Sequence, residues 1–363
     1  MRRIACFHLY NDYSGSPKVL AMILEGLLKR KYDIELLSSG KGGSLDILEN
    51  YSNLVFRRYK YKFSENKIIE ICRYTFVQIF VFLYAFRYLF KRDTIFYINT
   101  LLPVGAAFAG WITRKHIVYH YHENANAKGG IYRILSVLMQ FFADDIICVS
   151  EYQASFLKRK DKVVVIPNVL DEKFTKNFED IYQYDNFDKK NVLMLASLKS
   201  YKGIKEFVEL AKNIPDYSFT LVINDETDNI EAYFKLNQLN KPENLNVFPR
   251  QFNVVPFYRN ASVVLNLSNK NIVIETFGLT VLEAFTAGLP VIVPTVGGIA
   301  ELVDDDVDGY KIDVEDIDKI ALKIREMLSD KDKYSELRKN AIEKSRLYNY
   351  SMMIDNIERI IRK

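Results

Sequence analysis

A chain of 363 residues with 49% hydrophobic and 26% charged positions is long enough for two or three buried cores and too apolar to be disordered. Its three cysteines, Cys6, Cys72 and Cys148, lie in apolar surroundings without the spacing of a disulfide framework or a zinc site, so they read as buried thiols in a reducing compartment. The net charge of +4 is uneven: residues 1–165 carry 24 Lys+Arg against 14 Asp+Glu, and the remainder 26 against 32. Nine of the basic residues fall between Arg57 and Arg92, opposed only by Glu65 and Glu70, so the first half suits an anionic partner. The apolar run behind Arg2 and Arg3 is short, contains His8 and lacks a small-residue cleavage site; no signal peptide is expected, and a cytoplasmic location is.

Short β-rich runs alternate with helical periods through the first half. Strands are expected near 4–9, 33–37, 94–99, 117–122, 146–149 and 163–166, and helices from Pro17, around Tyr74, from Pro103 and from Gly129. That alternation means stacked βαβ units and a parallel sheet. Between the first strand and helix, Ser14-Gly15-Ser16-Pro17 offers one glycine able to approach a phosphate closely, but the G-x-G-x-x-G fingerprint of a dehydrogenase is absent. From Tyr74 to Phe90 the chain is apolar and aromatic almost throughout, interrupted by Gln78 and Arg87 and shorter than the roughly 20 residues a membrane span needs. It reads either as a core helix or as one lying against an anionic membrane surface. Its long aliphatic and aromatic runs do not interleave with charges as in single-strand nucleic-acid binders, so no nucleic-acid partner is expected. His120 and His122 alternate at the end of the strand near 117–122, just before Glu123; a functional histidine, a satisfied core histidine and a zinc ligand are the competing readings.

Pro167-Asn168 and the polar stretch to Lys190 break the pattern, so 168–190 reads as an interdomain linker. A second alternation follows, with strands near 192–196, 217–223, 245–248, 262–267 and 290–293. Two such halves place ligands at the carboxyl ends of the strands, in a cleft. Residues 275–283 read Glu-Thr-Phe-Gly-Leu-Thr-Val-Leu-Glu: two carboxylates eight positions apart, with a helix starting between them. Gly278 allows tight backbone approach, amides at a helix start suit a phosphate, and carboxylates accept sugar hydroxyls. The set suits a nucleotide-sugar; two merely solvated glutamates are the plain alternative.

This segment, flanked by Leu265-Asn266-Leu267-Ser268 and Ala287-Gly288-Leu289-Pro290-Val291-Ile292, resembles the E-x7-E signature of family 4 of the retaining glycosyltransferases. That family has the α/β GT-B fold, two Rossmann-like domains whose parallel sheets face across a cleft. The resemblance implies that Glu283 binds the ribose diol, Glu275 contacts the donor sugar, and the amides of Phe277, Gly278, Leu279 and Thr280 hold the diphosphate. Lys202, before Gly203, resembles the diphosphate-binding lysine that opens the first helix of the second domain. Relatives often carry an arginine five positions earlier; here Ser197 stands there, and Lys199 is the candidate substitute. Gly15 and Ser16 match a glycine-rich run in the first domain that helps bind the donor, Gln251 and Phe252 the region that reads the base, and His122, or failing it His120, the active-site histidine. Tyr348-Asn349-Tyr350-Ser351 and the helix after it resemble an ending that crosses back to the first domain, giving domains 1–167 completed by 348–363, and 191–347. The implied activity is transfer of a sugar from a nucleoside-diphosphate donor, UDP or GDP, to a saccharide or lipid-linked saccharide in cell-surface polysaccharide synthesis. No cofactor and no metal are expected, Asp304 to Asp308 reading as a solvated turn, and the enzyme would sit peripherally on the inner face of the membrane. An epimerase-like or inactive binding protein of the same fold is the alternative.

Overall fold

Runs rich in Ile, Val, Tyr and Phe build two all-parallel sheets, each buried on both faces by helices as parallel sheets require. The computed structural model describes residues 3–64 and 66–363, so Arg2 and Glu65 lie outside the described residues. The chain divides into two units, Met1–Asn168 with Ser351–Lys363, and Val169–Tyr350.

In the first unit the described strands are β1 (Arg3–Tyr10), β2 (Asp33–Ser39), β3 (Leu54–Tyr59), β4 (Thr94–Asn99), β5 (Ile117–Tyr121), β6 (Asp145–Cys148) and β7 (Val163–Val165), ordered β3-β2-β1-β4-β5-β6-β7. Cys6 of β1 pairs with both Leu36 and Tyr97, so the strand order reverses between β1 and β4, where such sheets bind ligands. Strand β3 was not anticipated: its Arg57 and Arg58 hid it inside the basic stretch, yet charge is what a sheet edge needs to avoid pairing with another chain. The closing helix Tyr350–Arg362 belongs to this unit, burying Met353, Ile354, Ile357, Ile360 and Ile361 on one face. Its polar face is tied down by Arg30 to Asp355 at 2.5 Å, Tyr32 to Glu358 at 2.8 Å and Lys363 to Asp145 at 2.5 Å.

The helix expected around Tyr74 starts at Lys67, capped by the Asn66 side chain on the amides of Ile68 and Ile69, and continues through Phe86–Tyr88. Only Val77, Gln78, Val81, Ala85 and Tyr88 are buried, so the core-helix alternative fails over most of its circumference. Gln78 bridges two helices through its Oε1, which accepts from the Gly105 amide at 3.0 Å, and a Cβ at Gly105 would sit 2.2 Å from the Gln78 carbonyl, so the two helices touch backbone to backbone. Lys67–Tyr88 is long and apolar enough to cross a membrane, with a mean hydropathy of 1.6, but this stripe is packed into the unit. Cys6 and Cys148 are buried as expected; Cys72, on the same helix, is exposed.

The second unit holds β8 (Asn191–Ala196), β9 (Ser218–Ile223), β10 (Leu245–Phe248), β11 (Val263–Leu265), β12 (Val291–Val293) and β13 (Gly309–Lys311), ordered β10-β9-β8-β11-β12-β13. The stretch 168–190 is not a free linker. Val169, Leu170, Phe178 and Ile181 are buried, Asn186 donates to the Ala261 carbonyl at 2.7 Å, and Arg259 pairs with Asp180 at 2.9 Å. Its apolar residues are too sparse to show a period, but they are enough to dock it on the second unit.

Candidate active site

In a parallel sheet every strand delivers its following loop to the same edge. In the second unit three of these loops converge on Glu275. Lys202 ends the turn Ser200–Lys202 after β8, and Gly203 follows at φ +73°, where a Cβ would lie 2.4 Å from the Leu267 carbonyl. Glycine therefore lets the Lys202 turn press against the loop after β11. There the Lys202 ammonium forms a short ion pair with Glu275 Oε1, which also accepts from Ser268 Oγ at 3.0 Å. Burial pulls the Lys202 pKa down, but the charge and hydrogen bond of Glu275 outweigh it and hold the ammonium above its ordinary value. From the loop after β12, the Gly298 amide donates to the Glu275 carbonyl at 2.9 Å, and at Gly297, φ +113°, a Cβ would be 2.6 Å from that oxygen.

Past Glu275 the chain enters the helix Leu279–Thr286, whose first amides, on Leu279 and Thr280, have no carbonyl four residues back to bond. Gly278 precedes it, and any Cβ there would meet Ile299 at 2.7 Å. Phe277 is nearly buried, its ring 6.2 Å from that of Tyr348. Glu283 lies on the same helix, 4% exposed, and its Oε2 accepts from Tyr258 OH at 2.7 Å. Burial, then the Glu283 charge, push the Tyr258 hydroxyl pKa well up, so it stays a donor. Lys199 is exposed at the head of the Lys202 turn. Gln251 and Phe252 sit in the loop after β10; Gln251 donates to the Pro249 carbonyl at 3.0 Å and Phe252 is 80% exposed. Lys202 and Glu275 are thus brought into contact, while among the described residues no hydrogen bond joins Gln251 to either.

In the first unit the carboxyl ends of β1, β4 and β5 bring three imidazoles together. Asn99 lies between two of them, its Oδ1 3.0 Å from His122 Nε2 and its Nδ2 3.1 Å from His8 Nδ1. An amide so oriented makes His122 Nε2 a donor and His8 Nδ1 an acceptor. The His120 ring lies 4.1 Å from that of His122, and its Nδ1 meets Tyr97 OH at 2.9 Å. Burial lowers the pKa of His8 to about 4 and of His120 to about 3, and lowers that of His122 with help from the other two rings. All three are neutral at physiological pH. Glu123 accepts from the Leu101 amide at 3.2 Å through each oxygen, and burial raises its pKa. Gly15 and Ser16 open the helix Gly15–Lys29 after β1, beyond a turn in which Ser14 donates to Asp12. Among the described residues no group of three or more His, Cys, Asp or Glu is arranged to hold a metal ion. The run at 304–308 is not fully solvated: Asp308 is 1% exposed and burial raises its pKa to about 6, while Asp304 pairs with Lys344 at 2.5 Å.

Two Rossmann-like units, one with a cation, a carboxylate and a helix start converging on one rim, are the architecture of GT-B proteins. The profile described as "Glycosyl transferases group 1" matches residues 177–344, and that of "Glycosyltransferase Family 4" matches 13–174. The chain belongs to this family of glycosyltransferases. It is 25% identical over 361 residues, 91% of its length and 88% of the relative's, to the Escherichia coli UDP-Gal:alpha-D-GlcNAc-diphosphoundecaprenol alpha-1,3-galactosyltransferase. It is 26% identical over 225 residues, 58% of each chain, to the Campylobacter jejuni N,N'-diacetylbacillosaminyl-diphospho-undecaprenol alpha-1,3-N-acetylgalactosaminyltransferase. In two glycosyltransferases of Methanocaldococcus jannaschii the matched stretch spans 59% and 37% of the relative's length. The Anabaena protein HepE, crystallised with UDP and glucose, shares the fold over 100% of both chains, with a TM-score of 0.78 at 18% identity.

Proposed function

We propose that the chain is a retaining glycosyltransferase that moves a sugar from a nucleoside-diphosphate donor to a lipid-linked saccharide during cell-surface polysaccharide synthesis. The observation that carries this reading is the Lys202–Glu275–Ser268 constellation beside the helix start at Leu279. A diphosphate docked on the Leu279 and Thr280 amides gives Lys202 a second anion to neutralise as the leaving group develops charge. Glu275 then accepts hydroxyls of the donor sugar, and Glu283, from the helix, those of the ribose. In this reading the departing phosphate oxygen takes the acceptor proton on the same face, and neutral His122 donates or accepts hydrogen bonds rather than supplying charge. No metal is required, because amides and Lys202 carry the leaving charge; turnover should persist in excess chelator. The UDP-bound neighbour favours uridine over guanosine, and the names of the two bacterial relatives favour a diphospho-lipid acceptor.

The same reading places the first unit on the cytoplasmic membrane surface. Ring contacts Phe82–Phe108 at 5.3 Å, Phe108–Trp111 at 6.2 Å and Trp111–Phe141 at 5.8 Å join three helices into one aromatic face. Phe108, Trp111, Ile134, Val137 and Phe141 on it are 42–65% exposed. So much contiguous apolar surface is a docking face, and the nearby arginines and lysines favour anionic lipid. Product analysis by NMR tests the retaining claim: an α-linked product from an α-linked donor supports it, and a β-linked product refutes it.

A further inference from the structure

The loops after β2 and β3 and the helix Lys67–Ala85 enclose a groove of about 1050 Å³ on the carboxyl-end rim of the first unit, lined among others by Lys41, Tyr59, Lys60, Lys62, Arg73 and Phe76. Its floor is anchored: Tyr59 OH lies 2.8 Å from the Leu9 carbonyl and 3.1 Å from that of His8, at the end of the strand that carries His8 into the histidine cluster. Its charge is largely positive: one carboxylate, Glu70, reaches the lining, where it accepts from the Tyr61 hydroxyl. Arg58, also in the lining, is consumed by Asp46 at 2.8 Å and by Glu49, and its guanidinium stacks 3.8 Å over Phe56. Lys41, Lys60, Lys62 and Arg73, by contrast, form no ion pair with a carboxylate among the described residues; Arg73 donates instead to the Lys62 carbonyl at 3.0 Å, which fixes it at the wall.

The wall then changes character along one helix face. One turn beyond Arg73 comes Phe76, and Phe76, Ile79, Phe80 and Leu83, spaced i, i+3, i+4, i+7, form a single stripe that is 73%, 53%, 40% and 63% exposed. A multivalent cationic groove that opens onto an uncovered apolar track matches a ligand with a polyanionic head and a hydrocarbon tail. We infer that this groove binds the diphosphate of a lipid-linked acceptor, with Lys41, Lys60, Lys62 and Arg73 on the phosphates and the lipid running along Phe76 to Leu83. The assignment rests on the glycosyltransferase reading above and goes beyond it by locating the acceptor head.

The test is calorimetry of the full chain with geranyl diphosphate, inorganic pyrophosphate and geraniol as probes, and with UDP on the same samples. Geranyl diphosphate should bind at least about tenfold more tightly than either fragment. Lys60→Gln with Lys62→Gln and Arg73→Gln should weaken it by about tenfold or more, while Lys60→Arg with Lys62→Arg should retain it. Phe76→Ser with Leu83→Ser should reduce it to the level of pyrophosphate. Cys72, exposed and lining the groove, supplies a readout without mutation: geranyl diphosphate should slow its alkylation. Unchanged alkylation, affinity indifferent to both sets of variants, or pyrophosphate binding as tightly as geranyl diphosphate would each overturn the assignment. UDP separates the two readings, since failure to bind UDP faults the glycosyltransferase reading and leaves the groove result to stand by itself.

Discussion

Lys202 and Glu275 neutralise each other before any donor arrives, so the two glutamates of the motif enter the reaction from different starting points. Glu283 is buried against Tyr258, and under the proposed function its loss removes a charge-assisted acceptor from the ribose side. Glu283→Gln, which retains a hydrogen-bond partner for Tyr258, should weaken nucleoside-diphosphate binding by roughly tenfold or more. Glu275→Gln releases Lys202 for the phosphates, so calorimetry should find nucleotide affinity kept while turnover falls; equal losses of affinity in both variants would contradict this division. The histidine cluster makes a pH prediction. A histidine whose folded pKa is depressed binds fewer protons folded than unfolded, so it stabilises the fold above about pH 6.5 and loses that contribution as pH falls toward the folded value of about 3 for His120 or 4 for His8. Thermal melts between pH 7 and 4 should therefore show a shallower acid loss in His120→Gln than in the parent; parallel curves would refute the assignment. The paired glutamates stand out by their chain spacing, and Lys202 by its resemblance to the family's lysine before a glycine. Tyr258, from the short helix Val255–Arg259, was not, since only the fold brings it to Glu283.

At the level of elements, alternation of apolar runs located the strands that are buried on both sides, such as β1, β4 and β8. It missed β3 and β13, edge strands whose polar residues break the pattern. The segment 168–190 was misread for a related reason: Phe178 and Ile181 dock it without any period. Composition flagged the helix Lys67–Ala85, but periodicity could not tell which side was covered, because apolar residues lie all around it. The exposed face it shares with helices Val104–Ile112 and Gly130–Phe142 should bind anionic vesicles in co-sedimentation, more weakly as salt rises but with a salt-resistant remainder. Trp111→Ser with Phe141→Ser should remove that remainder; binding indifferent to lipid charge and to these changes would mark the face as ordinary surface. Gly203 makes the complementary prediction for the other unit. Gly203→Ala, at positive φ and against the Leu267 backbone, should cost more than about 1 kcal/mol and lower Tm by several degrees.

For the whole molecule, two parallel sheets with loops gathered at their carboxyl ends account for why the motifs, scattered over much of the chain, fall on two rims. The first unit carries the excess of positive charge, the apolar face and the cationic groove; the second carries the paired glutamates and the lysine. The division of the net charge already separated those roles in the sequence, because electrostatics of this kind needs composition only. Under the proposed function the base is read by the loop 249–254, whose contacts follow no spacing rule. The central claim is that the rim around Glu275 and Glu283 holds a nucleoside diphosphate, and ligand-induced thermal stabilisation against UDP, GDP, ADP and their sugars measures it most directly. Stabilisation follows mass action, about 2.7 kcal/mol at 100 times the Kd. The account predicts that UDP or a UDP-sugar raises the Tm of the parent and that Glu283→Gln largely abolishes the shift at the same concentration; a panel in which no nucleotide moves the parent, or in which the shift survives that substitution intact, would contradict it.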